Sequence, residues 1–271
     1  MPLRTAVTMV TSLSVLLATR AIAAPLQPTG AWTVDYGDTQ CTAAHSFGPS
    51  ADPVVLGIIP SINGKTYRII VSLQRNGPIF AHEVHGAVDF GRGKIRSWLL
   101  YYGRSGLKLT NYEFRISGSE IEQARSATRL GLSTDKGGEY EFALYDMAQV
   151  LDALSKCTAD LQQFWNMDEK RLVPVAKNAK GDLRMVFDSS DYPSEAVARG
   201  QEGKSQYQLL IDEKGSVAGC DVLIQSGVPI IDVMGCQVMK ERAKFRPSTD
   251  SNGKPIRSVL TTPPVVWSLR P

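Results

Sequence analysis

Four cysteines, Cys41, Cys157, Cys220 and Cys236, punctuate the 271-residue chain. How they constrain the fold depends on the compartment, which the N-terminus indicates. Arg4 precedes an apolar stretch from Ala6 to Ala18, and Ala21-Ile22-Ala23 follows as a small-x-small cleavage signal. This is the layout of a secretory signal peptide over residues 1–23. Cleavage is expected after Ala23, because a cut after Ala24 would leave Pro25 at the new terminus. An uncleaved anchor is the alternative reading. A spanning helix needs about 20 apolar residues, and Arg20 interrupts the run. No Cys follows the apolar run closely, so a lipid anchor is not indicated. Export to the periplasm places the cysteines where disulfides persist. Of the three pairings that four cysteines allow, the spacing favours Cys41–Cys157 and Cys220–Cys236, one in each half. Free buried thiols are the alternative, and without a CxxC the metal and redox readings are weak.

Hydrophobic residues make up 43% of the chain and charged ones 21%, enough to build a real core. Lys and Arg number 30 against 27 acids; removal of Arg4 and Arg20 with the signal leaves 28 against 27. A net charge of that size offers no basic excess for a phosphate backbone, which argues against nucleic acid as a partner.

Residues 30–166 are expected to form a β-rich domain. Val54–Ile59, Tyr67–Leu73, Lys94–Tyr101 and Leu107–Ile116 are short apolar or alternating runs, punctuated by Asn63-Gly64 and Asn76-Gly77. Asn63-Gly64 signals a hairpin. A short helix is expected at Ser119–Arg125 with Ser119 as its cap. Met147, Val150, Leu151, Leu154, Cys157, Leu161 and Phe164 recur at three- and four-residue steps and predict a closing helix, with Asp146 as N-cap. Residues 167–191 read as a linker, with Leu183–Phe187 as a short run able to add a strand.

From residue 192 to 269 the pattern predicts a smaller α+β unit in the order helix, strand, strand, helix, strand. Pro193–Arg199 starts a short helix that Gly200 ends. Tyr207, Leu209 and Ile211 alternate with Gln206, Gln208 and Leu210 as a half-buried strand. Val217–Gln225 is the second strand, with Ala218, Cys220, Val222 and Ile224 on one face. A helix runs from Pro229 to Lys244, and Ser258–Leu269 is the last strand. Pro263 and Pro264 require that strand to be an edge or to be broken there.

Tyr192-Pro193, Ala196, Gly200, Gly203, Asp212, Gly215, Val217, Val222, Ser226, Gly227, Arg242, Phe245 and Pro247 occur in an order and spacing that resemble a TonB C-terminal domain. Cys220 and Cys236, Ile231-Asp232, Lys254-Pro255 and Trp267 resemble the disulfide-bearing variant in exported alphaproteobacterial members. The resemblance covers about 190–269 and implies a three-stranded antiparallel sheet with two helices. It also implies β-augmentation, in which an extended peptide of an envelope protein, such as a TonB-dependent outer-membrane transporter, pairs with an edge strand. The matching edge here is Ser258–Val266, with Ser258, Val259, Leu260, Thr261, Thr262, Val265 and Val266 as the binding residues. The family further allows strand exchange into a homodimer. This chain departs from a membrane-spanning TonB energy transducer in its cleavable N-terminus and its lack of a long Pro-rich spacer. A non-catalytic periplasmic interaction protein is therefore expected, with the anchored transducer as an alternative.

Enzyme readings are weaker. His82 and His85 are three apart, which on a strand points them to opposite faces, and His45 is expected on a surface or loop. Gly64-Lys65-Thr66 lacks the earlier glycine of a phosphate loop, and Ser105 lacks a glycine at 107 for a nucleophile elbow. Ser119-Glu120 and Asp188–Asp191 are expected in solvated loops. No catalytic residue, metal or cofactor is assigned. An envelope enzyme with a site in the β-rich domain is the remaining alternative.

Overall fold

A computed structural model describes residues 24–78, 80–104, 106–167 and 173–269. The expected signal peptide, Ser105 and part of the expected linker lie outside the described residues. Nine strands form one antiparallel sheet: β1 (Thr33–Tyr36), β2 (Cys41–Phe47), β3 (Val54–Pro60), β4 (Thr66–Leu73), β5 (His82–Asp89), β6 (Lys94–Gly103), β7 (Thr110–Ser117), β8 (Arg129–Thr134) and β9 (Glu139–Ala143). Their spatial order is β1-β2-β3-β4-β7-β6-β5-β8-β9. Just ahead of β1, Leu26 bridges Phe142 of β9 and Pro28 bridges Phe47 of β2, so the sheet curls until its two ends meet across this segment. Leu26 N–H donates to Glu141 O at 2.7 Å and Ala143 N–H to Leu26 O at 3.0 Å.

Asn63-Gly64 forms the β3–β4 turn, with Gly64 at φ 69°. Asn76-Gly77 instead leads from β4 into β5, which do not pair. The sequence reading did not name β2, whose buried face carries Cys41, Ala43, His45 and Phe47. His45 is accordingly a buried strand residue between Trp32 and Phe47, not a surface one. The short helix α1 (Gly118–Ile121) is capped by Ser117, not Ser119, and Glu120 completes the reciprocal capping box. Glu120 is thus structural. The long helix α2 (Met147–Phe164) turns Met147, Val150, Leu151, Leu154, Cys157 and Leu161 into the core. Each such burial contributes about 1.5–3 kcal/mol. Asp146 stands at its N-cap position, but with φ 57° and no side-chain cap bond. Cys157 joins Cys41 on β2, fixing the helix to the sheet.

The C-terminal region runs α3 (Ser194–Ala198), β10 (Gly203–Ile211), β11 (Val217–Ile224), α4 (Pro229–Arg242), β12 (Ser248–Thr249), β13 (Pro255–Ile256), β14 (Ser258–Thr261) and β15 (Val265–Trp267). β10 is the central strand, with β11 on one side and β14 and β15 in succession on the other. The last strand is therefore an edge and is also broken at Pro263-Pro264, as two residues without N–H donors require. Tyr207, Leu209 and Ile211 pack with Val238 and Met239 of α4. A Cβ at Gly235 would overlap the Tyr207 ring, so glycine there lets α4 lie close to the sheet. A bulge between Leu210 and Ile211 shifts the register, so Val217, not Ala218, joins this core. Cys220 and Cys236 are bonded, tying β11 to α4.

β10 is not half-buried. Its second face, Gln208 and Leu210, is covered by the nine-stranded sheet. The contact is specific: Glu83 of β5, fully enclosed, accepts hydrogen bonds from Ile230 N–H at 3.0 Å and Gln201 Nε2 at 2.9 Å. It therefore caps the start of α4 from the other region, where a carboxylate is favoured. Arg257 stacks on Phe164 at 4.0 Å, and Asn166 Nδ2 donates to Arg257 O at 2.7 Å.

Candidate functional site

The edge strand is held by residues that the sequence pattern singled out. Tyr192 and Phe187 each meet the Trp267 ring edge-on at 5.5 Å, and the Tyr192 hydroxyl donates to Gln201 O at 2.7 Å. These contacts lock β15 onto α3. Gly215 takes φ 81° in the β10–β11 turn, where a side chain would run into the Phe245 carbonyl. Asp212 Oδ1 accepts from Lys214 N–H and Ser216 N–H in the same turn. Asp191 is buried and paired with Arg242, which also holds Asp188 at 2.9 Å. Asp191 thus clamps the approach to α3 against the end of α4 instead of lying in a solvated loop, while Asp188 is exposed, as expected, and still pairs with Arg242.

Asp232, in the first turn of α4, is 1% exposed and accepts from Ser226 N–H at 3.0 Å. Burial pushes its carboxyl up to about 6, against the opposing hydrogen bonds from Ser226. Burial likewise pushes Tyr207, beneath α4, up to about 12.

Along the expected binding strand the residues separate into two groups. Thr262 is turned inward: its N–H donates to Tyr207 O at 2.9 Å and its Oγ1 accepts from Tyr207 N–H at 3.1 Å. Ser258 is also buried and meets Ser248 Oγ at 2.8 Å. Val259 packs toward the nine-stranded sheet, whereas Leu260 and Val265 pack toward the α4 side. Thr261 is exposed, and Val266 is 67% exposed. β14 pairs with β10 alone and ends the sheet.

Beside this edge lies a groove of about 480 Å³, lined by Leu183, Phe187, Phe245, Leu260, Pro264 and Val265 among others. One wall is the segment from Ala179 to Phe187, which the sequence reading placed in a linker. Leu183–Phe187 makes a turn, not a strand, and Val186 is buried against the α4 core. Lys177 and Lys180 bridge Thr249 and Arg246 through the backbone. The apolar run Leu183–Phe187 was the available sign of this packing. Lys180, Arg184 and Arg246 form a basic end to the groove, with Arg184 paired to Asp182 at 2.6 Å.

The histidines do not converge. His82 pairs with Glu195 of α3 at 2.9 Å, His85 packs on Trp98, and His45 lies in the core. Among the described residues no group of three or more His, Cys, Asp or Glu could hold a metal ion. Among them, too, no helix is long and apolar enough to cross a membrane.

Residues 188–269 match the Gram-negative bacterial TonB protein C-terminal family. This stretch is a TonB C-terminal domain, and it connects the chain to the Gram-negative envelope. No curated protein matches the chain.

Proposed function

We propose that this chain is a non-catalytic periplasmic interaction protein whose TonB-type domain binds an extended peptide of an envelope protein by pairing it with β14 and β15. The observation that supports this reading is a terminal strand with an apolar groove alongside it. An added strand gains main-chain hydrogen bonds from the edge, while alternate side chains enter the groove. Val259–Thr261 and Val265–Val266 supply the edge; Ser258 and Thr262 brace it from within. Pro263 and Pro264 interrupt the ladder, so an incoming strand pairs in two short pieces. Such an interruption also discourages uncontrolled edge-to-edge association. Lys180 and Arg246 favour an acidic residue at one end of the peptide. An outer-membrane transporter with an extended periplasmic segment is a partner of the right kind.

Site-specific photo-crosslinking in the native envelope tests this proposal. A crosslinker replacing Val266 is expected to capture an outer-membrane protein through an extended segment. One replacing Ile224, 54% exposed on the opposite edge strand, is expected to capture none. Equal capture from both positions, or none from Val266, contradicts the reading.

A further inference from the structure

A second concavity lies between the two regions, away from the edge strand. It encloses about 750 Å³, within the range of small-molecule sites. One wall is the outer face of the nine-stranded sheet, with Arg68, Tyr102, Glu113 and Arg115. The other wall comes from β11 and α4, with Asp221 and Lys240.

The polar groups here are incompletely matched to one another. Glu113 is buried and well supplied: Arg115 Nη2 donates to it at 3.2 Å, Tyr102 OH at 3.1 Å, and Arg68 Nη1 stands 3.8 Å away. Arg115 has no other hydrogen bond, and its enclosed Nε has no partner. Across the gap, Asp221 Oδ2 accepts from Ile62 N–H at 2.6 Å, leaving Oδ1 without a partner. Burial raises the Asp221 carboxyl and the fields of Arg68 and Arg115 oppose that rise, yet neither arginine forms an ion pair with it. Two guanidinium groups and a carboxylate thus line one cleft with spare bonding capacity, although Arg68 Nη2 also donates to Gln40 Oε1 at 3.1 Å. Enclosed polar groups require partners. Leu100, Leu210 and Val233 add an apolar patch to a lining that otherwise includes Gln40, Gln237 and Glu241.

We infer that this cleft binds a small zwitterion, a free amino acid or short peptide with an apolar side chain. Its carboxylate pairs with Arg115 and Arg68, planar donors suited to that group. Its ammonium pairs with Asp221, and its side chain rests on Leu100, Leu210 and Val233. Because both regions contribute, a bound ligand also bridges them. This site is independent of the edge strand and stands or falls separately from it.

Titration calorimetry on the mature full-length chain tests the inference, with alanylleucine, its N-acetylated form and its C-amidated form as probes. Saturable binding of alanylleucine at millimolar concentration or tighter is expected. Blocking either terminus is expected to weaken it about tenfold or more, equivalent to about 1.4 kcal/mol. Asp221→Asn keeps an acceptor for Ile62 N–H and is expected to weaken binding similarly, while Val266→Lys on the edge strand leaves it unchanged. Absence of saturable heat with alanylleucine overturns the inference, as does equal binding of all three peptides. Should Asp221→Asn fail to fold, the blocked peptides decide the matter alone.

Discussion

The nine-stranded sheet and the sheet around β10 manage their edges in opposite ways. In the first, the segment from Leu26 to Pro28 bridges β9 on one side and β2 on the other, so the two ends of the sheet are joined. In the second, β14 and β15 pair inward only. Unpaired edges are usually a hazard that proteins conceal. A chain that closes one sheet and leaves β11 and the proline-broken β14–β15 as edges of the other keeps its pairing capacity in the C-terminal sheet. The two disulfides differ in the same sense. Cys41–Cys157 spans 116 residues and holds the whole sheet to α2, whereas Cys220–Cys236 spans 16 and fixes only α4 to β11.

The largest effect should come from breaking that contrast. In the loop-entropy picture, the Cys41→Ala/Cys157→Ala pair costs about 4–5 kcal/mol and Cys220→Ala/Cys236→Ala about 3 kcal/mol. Denaturant midpoints measured with and without reductant would rank them, and a reversed order would contradict the assignment of the long staple to the larger core. Next is Glu83→Ala, which leaves Ile230 N–H and the Gln201 amide without their buried acceptor. A loss of about 2–4 kcal/mol is expected. The unfolding curve should also split into two transitions as the regions uncouple, which calorimetry would detect.

Asp232 gives a pH test confined to the C-terminal region. Its folded carboxyl titrates near 6, above the usual carboxylate range, so the folded state holds the proton more tightly than the unfolded chain. Stability from this group is therefore fullest below about pH 4 and declines as pH rises through about 6. Asp232→Asn keeps an oxygen for Ser226 N–H and should stabilise the protein at neutral pH by on the order of 2 kcal/mol. It should also flatten the decline between pH 4 and 6 in thermal-melt series. The smallest expected effect is from Arg257→Ala, which removes the stacking on Phe164 and the exposed pair with Glu213. A loss of about 0.5–1 kcal/mol in urea unfolding is expected.

Much of the site was legible because local chemistry dictates it. Pro263-Pro264 must lie at an edge or a break, and both conditions are met. Gly200 takes positive φ where the short helix was expected to end, as does Gly215 in the turn between the two predicted strands. Other features depend on contacts distant in sequence. The closing segment at 26–28 is short and proline-containing, with no alternation to betray it. β5 buries Glu83 and Val84, then Ala87 and Val88, in adjacent pairs instead of alternating, so a period-two reading misses it. Gln208 looked like a solvent-facing strand position and is buried because another sheet covers it. Asp191, read as a loop acid, acquires its meaning only from Arg242, 51 residues away. Polar residues were thus the least legible, since their partners lie on other elements.

Residue-resolved amide hydrogen exchange on the chain from Ala24 onward tests the contrast between the two sheets most directly. Outward-facing amides of β14 and β15 should exchange rapidly, while Leu26 and Ala143, which seal the larger sheet, should be protected to nearly the global unfolding limit. Equal protection of β14–β15, or rapid exchange at Leu26 and Ala143, would contradict the account of one sealed sheet and one open sheet.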